Sequence, residues 1–322
     1  MHLSRYETSP AVEKLPKAFL FRRLHSIAGF FFVLFLVEHM LTNSTAALFV
    51  SEEGSGFIHG VNFLQSLPYL PFIELFLLAV PIAIHLFLGV AYLTEARLNS
   101  FSSDGSKPSL PFVRNHFFTW QRITAVLLVV GLIAHVVSIR FMQRPIPLDT
   151  TDETRYVVSV AADPGLTTLA PKLRFTLITL ATLPGMLSAI EKSEKALSIP
   201  ALSETDRLYF QERLSAQRDC LSTLHPTEKQ WFIAAPDFGT ALLLVVRDTF
   251  RITWVCIAYT LFALAACFHA GNGLWTFAIS WGIPLNERGR GVVRAVGSAL
   301  AFALAAGGLA CIWMTYWVTL KQ

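Results

Sequence analysis

The chain has 322 residues, of which 53% are hydrophobic, 12% aromatic and only 15% charged. Soluble globular domains carry about 25% charged residues, so this composition excludes an ordinary soluble domain and indicates a membrane protein. The net charge of +4 is modest, and the basic residues lie beside apolar runs, which argues against a nucleic-acid-binding protein. The four cysteines form no CxxC pair of the kind that holds zinc or an iron–sulfur cluster.

Long apolar runs predict an all-α integral membrane protein. A hydrocarbon core of about 30 Å needs about 20 apolar residues in a helix, and five runs meet that requirement. We therefore predict five transmembrane helices that form a bundle. In chain order, spans one to five cover Leu24 to Val50, Phe72 to Leu93, Ile123 to Ile139, Ile252 to Ile283, and Ala295 to Leu320.

A polar segment, residues 141–250, separates spans three and four and holds 13 of the 22 acidic residues. It divides the chain into an N-terminal membrane part (1–140), a partly helical extramembrane insert (141–250) and a C-terminal membrane part (251–322). Within the insert, the apolar run Phe175 to Ile190 is too short to span and predicts a buried or interfacial helix. Ser203 predicts the N-cap of an amphipathic helix, with Leu214, Leu221 and Leu224 on one side.

Basic residues near the span ends predict the orientation, because positive charge beside spans is retained in the cytoplasm. Basic residues precede span one, and they also lie between spans two and three and between spans four and five. The loop between spans one and two has Glu52 and Glu53 but no Lys or Arg. We therefore expect the N-terminus in the cytoplasm and the insert on the outer face.

Four histidines lie inside the first four spans, one in each: His39, His85, His135 and His269. A lone intramembrane histidine most often makes a helix–helix hydrogen bond, but four with matching depths indicate a function. His39 and His135 lie about 6 to 8 Å from the outer ends of their spans, whereas His85 and His269 share a mid-to-inner depth. Two histidines at one depth on different helices can ligate one low-spin haem iron. The sequence therefore predicts two b haems in series, with these four residues as axial ligands.

A competing pattern is the 14-residue separation of His25 and His39 on span one, which is used by cytochromes that hang two haems from one helix pair. That scheme needs a second helix with the same spacing, but Gln121 and Val255 stand at the matching positions before His135 and His269. We therefore place His25 at the inner interface with Arg22 and Arg23, where they can pair with haem propionates or a quinone carbonyl. Topogenic arginines beside a satisfied interfacial histidine explain this group equally well.

Several motifs resemble the dihaem cytochrome b subunit of succinate dehydrogenases and fumarate reductases, over the five spans and about two thirds of the chain. The most specific is Phe268-His269 followed by Asn272-Gly273-Leu274-Trp275, Phe277 and Trp281-Gly282. The others are Phe21-Arg22-Arg23-Leu24-His25-Ser26 with Gly29, the loop from His59 to Ser66-Leu67-Pro68, and Gln121-Arg122-Ile123-Thr124.

The resemblance implies that His85 and His269 ligate a proximal haem near the cytoplasm, and His39 and His135 a distal haem near the outside. It also implies a flavoprotein subunit and an iron–sulfur subunit that dock on the inner face of a bacterial cytoplasmic membrane and oxidise succinate. This chain would then be the quinone-reacting subunit of the enzyme, usually with menaquinone. Some fumarate reductases carry a glutamate two residues before the fourth-span ligand, where this chain has Cys267, and the insert is absent from the compact family pattern.

Two other functions fit parts of the pattern. One is a haem subunit of another quinone-linked oxidoreductase, such as a formate dehydrogenase or a hydrogenase. The other is a proton-coupled transporter with intramembrane histidines as its relay. Transporters commonly have internal repeats and broken helices, and the sequence has no evident repeat, so we rank the transporter lower.

Overall fold

The computed structural model describes residues 15–46, 52–95, 112–197 and 203–320. Five of its helices are long and apolar enough to cross a membrane, which confirms the predicted helical membrane protein. The residues between the third and fourth of these helices form the insert. The spans are Lys17–Ser44, Leu70–Glu95, Val113–Met142, Thr253–Ser280 and Glu287–Leu320.

Spans two, three and five extend beyond their predicted apolar runs, because helical hydrogen bonding continues into the polar membrane interface. Span one begins before its predicted run but ends at Ser44, and span four, Thr253–Ser280, lies within its predicted run. Span one begins at Lys17 and span three at Val113, so both helices carry basic residues in their first turns. Spans two and three each contain a π-helical segment, Glu74–Ala79 and Val136–Met142. An ion pair of 2.9 Å between Arg140 and Glu74 joins these two segments. Such wide turns inside helices often lie at functional sites.

Spans four and five pack most closely at two glycines. A Cβ atom on Gly271 would lie 2.5 Å from the carbonyl oxygen of Gly297, and a Cβ on Gly297 would lie 2.5 Å from that of Gly271. Small residues allow this approach, because association of helices in lipid depends on close van der Waals packing. Span one completes the core of the bundle with Val33 and Leu36, which pack against Cys267 and Leu304.

The insert contains a four-stranded antiparallel sheet in the order β1-β2-β4-β3, which the sequence analysis did not predict. Its strands are β1 (Ile146–Asp149), β2 (Thr154–Ala161), β3 (Thr176–Ile178) and β4 (Gln230–Ala235). Outside the spans, the described residues form five shorter α-helices: α1 (Ser55–Gln65), between spans one and two, and α2 (Gly165–Leu173), α3 (Leu183–Ala196), α4 (Glu204–Ser222) and α5 (Phe238–Phe250) in the insert.

Two local predictions for the insert have different outcomes. The helix predicted from Phe175 to Ile190 was wrong over its first part, because residues there form β3 and the helix begins only at Leu183. Pro184 lies in the first turn of α3, where its missing N–H costs nothing. The serine cap is confirmed: the backbone N–H of Asp206 donates to Ser203 Oγ at 3.1 Å, at the start of α4.

Helices cover both faces of the sheet. Neighbouring residues of a strand point to opposite faces, so Val157 packs with α3 and α4, whereas Val158 packs with α2 and α5. Leu214, Leu221 and Leu224 are all buried against the first of these faces, as the predicted amphipathic pattern requires. The insert therefore has its own apolar core.

Helix α5 joins that core to the membrane bundle. Its residues Leu244 and Val245 pack against the sheet, while Leu243 and Phe250 pack into a second cluster with Phe57 of α1. This second cluster also includes residues from the ends of spans four and five. Because both sides of α5 are buried, the insert is fixed on the end of the bundle.

A polar contact between α1 and α5 sets their register. Asp237 caps α5 by accepting a hydrogen bond from the Thr240 N–H at 2.8 Å. Asn62 of α1 donates to Asp237 Oδ1 and accepts from the Gly239 N–H, each at 2.8 Å. A Cβ on Gly239 would lie 2.5 Å from the carbonyl oxygen of Ile58, so the two backbones can approach this closely only at a glycine.

Replacing Asn62 with Ala should loosen the insert from the bundle, because it removes both hydrogen bonds and leaves Asp237 and Gly239 with one partner fewer. We expect a loss of about 1 to 3 kcal/mol in stability. Thermal unfolding in detergent, followed by circular dichroism, measures this loss, and Gln65→Ala at an exposed position of the same helix is the control. Equal unfolding midpoints for the two variants would contradict this role of Asn62.

Candidate functional site

The site contains two pairs of histidines, each formed between different spans. His85 of span two and His269 of span four face each other, with ring centroids 6.2 Å apart and ring planes at 84°. His39 of span one and His135 of span three form the second pair, with centroids 5.8 Å apart and planes at 80°. The four histidines singled out from the sequence therefore meet in the combinations that their depths predicted.

Three spans give independent measures of the separation between the two pairs. On span one, Gly29 lies against the His85 ring, and His39 follows ten residues later. On span four, Tyr259 contacts His135, and His269 follows ten residues later. At 1.5 Å per residue, each interval corresponds to about 15 Å.

The third measure comes from span three, where Thr124 contacts His269 and His135 follows eleven residues later. This interval is about 16 Å along the helix. The three intervals agree, so the pairs lie one behind the other along the bundle.

Hydrogen bonds fix the rings of the first pair. The Nδ1 atom of His85 lies 3.1 Å from the carbonyl oxygen of His25, which can only accept, so Nδ1 carries the proton. The Nδ1 atom of His269 lies 3.3 Å from Thr124 Oγ1, whose own proton is donated to the Trp120 carbonyl at 2.8 Å. Both rings are therefore protonated on Nδ1, and each has the Nε2 lone pair available for a metal.

The second pair has one comparable contact. The Nδ1 atom of His135 lies 3.2 Å from the hydroxyl oxygen of Tyr259 on span four. Phe262 of the same span also packs beside the His135 ring, and Phe35 lies against His39. Hydrogen bonds of this kind orient metal-bound imidazoles and tune their basicity.

The donor set fits an iron whose remaining ligands come from a macrocycle. Within the described residues, no group of three or more His, Cys, Asp or Glu side chains could hold a metal ion without further ligands. A metal–imidazole bond is about 2 Å long, so two rings bound on opposite sides of one metal have centroids about 6 Å apart. Both observed separations match this value, and a bis-histidine haem has this ligand set.

Comparison with known proteins gives one informative match. Neither a family model nor a solved structure matches the chain. The succinate dehydrogenase cytochrome b558 subunit of Bacillus subtilis (strain 168) is 22% identical over 298 residues, which covers 92% of this chain and 96% of the relative.

The chain is a distant, full-length relative of a succinate dehydrogenase cytochrome b558 subunit. This match confirms the resemblance that the sequence motifs indicated. Since it covers 92% of the chain, it includes residues on both sides of the insert and is not confined to one motif.

His25 does not form a third facing pair in this chain. Its ring stacks on His85 with centroids 4.0 Å apart and planes at 12°, which leaves no room for a metal between them. The ring of Tyr92 on span two lies edge-on to His25 at 5.4 Å. The spacing of His25 and His39 therefore does not produce two facing pairs on the same two helices.

The two arginines of the predicted inner group have different surroundings. Arg23 donates to the carbonyl oxygen of Ser280, at the C-terminal end of span four, and its guanidinium lies 5.0 Å from the Trp281 ring centroid. Arg22 is exposed. A cation at the negative end of a helix dipole is stabilising, so the position of Arg23 has a structural explanation of its own.

Several polar residues around the first pair were not assigned a role from the sequence. Gln121 donates to the His269 carbonyl at 3.2 Å and accepts from Asn272 at 2.7 Å. Gln121, Thr124 and Asn272 belong to the motifs that carried the resemblance, which was the only sequence signal for them. The contacts between the first two residues, on span three, and span four depend on how these two helices are rotated against each other.

Replacing Gln121 with Leu should destabilise the contact between spans three and four, because Asn272 loses its hydrogen-bond partner in an apolar environment. Hydrogen bonds between membrane helices contribute about 0.6 to 2 kcal/mol, so we expect a loss of this size in unfolding experiments in detergent. Thr276→Val is the matched control, since among the described residues the Thr276 hydroxyl donates to the carbonyl of Gly273 in its own helix and to no other span. An unchanged midpoint for Gln121→Leu would contradict the contact.

Proposed function

We propose that this chain is the cytochrome b membrane subunit of a succinate:quinone oxidoreductase, with two b haems that relay electrons between soluble partner subunits and membrane quinone. The observation that carries the proposal is the pair of bis-histidine sites, about 15 Å apart along the bundle, in a chain that matches a cytochrome b558 subunit over 92% of its length.

In this proposal, His85 and His269 hold one haem, and His39 and His135 hold the other. Haem iron supplies reversible one-electron transfer, and iron ligated by two imidazoles has no open position for oxygen. Three contacts orient the rings: the His25 carbonyl oxygen holds His85, the Thr124 hydroxyl holds His269, and the Tyr259 hydroxyl holds His135. All four histidines are partly buried between the spans, which limits the access of bulk water to them.

We infer the orientation from charge, and the partners from the match to a succinate dehydrogenase cytochrome b558 subunit. The first pair lies nearer the end of the bundle that carries Arg22 and Arg23 of span one and Arg288, Arg290 and Arg294 of span five. Positive charge favours the cytoplasmic side, so the His85–His269 haem would be proximal to the cytoplasm. A flavoprotein subunit and an iron–sulfur subunit would dock there, with menaquinone as the quinone near the distal pair.

Haem quantification on the purified protein, with a reduced-minus-oxidised spectrum, tests the proposal. We expect two b haems per chain, and one after His135→Ala, because each site depends on its own pair. His85→Ala should remove the other haem, while His59→Ala, outside the four-histidine set, should leave both. Absence of haem from a folded preparation supplied with haem would overturn the proposal.

The partner subunits require a separate experiment. Purification of the tagged chain from its native membrane should recover covalent or tightly bound flavin, iron–sulfur clusters and succinate-dependent haem reduction. Recovery of a formate- or hydrogen-oxidising partner would instead assign this haem protein to another quinone-linked oxidoreductase.

A further inference from the structure

A polar seam between spans one and two runs alongside the His85–His269 pair. Span one contributes His25 and Gly29, and span two contributes His85, Gly89 and Tyr92, which recur on one helical face. A Cβ on Gly29 would lie 2.7 Å from His85, and a Cβ on Gly89 would lie 3.4 Å from His25. The two glycines therefore make room for the two histidine rings within the seam.

Two atoms in this seam are buried and have no hydrogen-bond partner among the described residues. They are His25 Nδ1 and the hydroxyl oxygen of Tyr92. Their rings are neighbours, with centroids 5.4 Å apart, yet neither atom bonds to the other. A buried polar group without a hydrogen-bond partner destabilises the folded protein, so two adjacent ones indicate a bound group that satisfies both.

The position of the seam indicates what that group is. His25 stacks directly on the ring of His85, so both atoms lie beside one of the two proposed haem ligands. Tyr92 is three residues from Glu95 at the end of span two, and His25 is two residues from Arg23 near the start of span one. The seam therefore opens toward the polar end of the bundle, where a charged carboxylate could be accommodated.

We propose that Tyr92 and His25 hold a propionate carboxylate of the haem bound by His85 and His269, an inference that rests on the proposed function. A carboxylate has two acceptor oxygens, which match two donors, the Tyr92 O–H and the His25 Nδ1–H. Arg23, expected from the sequence to pair with a propionate, instead binds the end of span four. Neutral donors thus take the place of the arginine in this subsite.

The test is Tyr92→Phe, which removes one oxygen and keeps the ring, in the haem-loaded protein. A donor to the propionate offsets its negative charge and so favours the reduced iron. We expect the midpoint potential of the proximal haem to fall and its propionate bending band in the resonance Raman spectrum to shift to lower frequency, with two haems retained. The distal haem should keep its potential.

Tyr259→Phe is the matched control, because its hydroxyl contacts His135 of the other pair. It should change the potential of the distal haem and leave the proximal one unchanged. His25→Gln, which keeps an N–H donor, should preserve the Raman band better than His25→Leu. Repeating Tyr92→Phe in the His135→Ala background, which should contain only the proximal haem, assigns the shift without spectral overlap.

Two outcomes would overturn the inference and can be told apart from failure of the proposed function. If Tyr92→Phe keeps both haems with unchanged potentials and an unchanged Raman band, the subsite is wrong while the haem assignment stands. If Tyr92→Phe alters only quinone binding, the two atoms serve a quinone carbonyl instead. Absence of haem from the unsubstituted protein would refute the proposed function itself.

Discussion

The hydrogen-bonding requirement of a backbone in lipid is the constraint on which the rest of this structure depends. Without water, every N–H and C=O group inside the hydrocarbon must be paired within the protein, so each crossing segment is a helix. The helical backbone has no groups left for a ligand. A ligand inside the membrane must therefore be bound by side chains, and in this chain four spans place histidines in two facing pairs.

The same constraint explains why the histidines are so closely supported. An imidazole in an apolar environment is costly unless both nitrogens have partners. Three of the four rings have an Nδ1 contact: a backbone carbonyl, a threonine and a tyrosine. In these three rings, Nε2 is the nitrogen left without such a contact, and it is the atom that the proposed haem irons would bind.

The insert follows a different logic, because it combines an antiparallel sheet with helices around an apolar core of its own. Its attachment depends on α5, which belongs to both cores at once. Helix α1, in the loop between spans one and two, completes the contact through Asn62. Phe250 at the end of α5 contacts Tyr259, which in turn contacts His135. The insert is thus connected through two aromatic rings to the His39–His135 pair.

The sequence by itself determined the features that depend on composition and one-dimensional spacing. Apolar runs of sufficient length required five spans, and counting residues from the span ends assigned His39 and His135 to one depth and His85 and His269 to another. Ser203 and the leucines of α4 were equally readable, because helix capping and amphipathic spacing are local properties.

Only the tertiary structure decided the features that depend on helix rotation and on contacts between distant segments. The sheet was missed because its strands are short and pair across up to about 80 residues, as Val157 and Ala234 do. The stacking of His25 on His85, the position of Arg23 at Ser280 and the contact of Thr124 with His269 all depend on which face each span turns to its neighbour. The spacing of residues along one helix specifies their depth in the membrane. Packing between helices specifies which neighbouring helix each side chain faces.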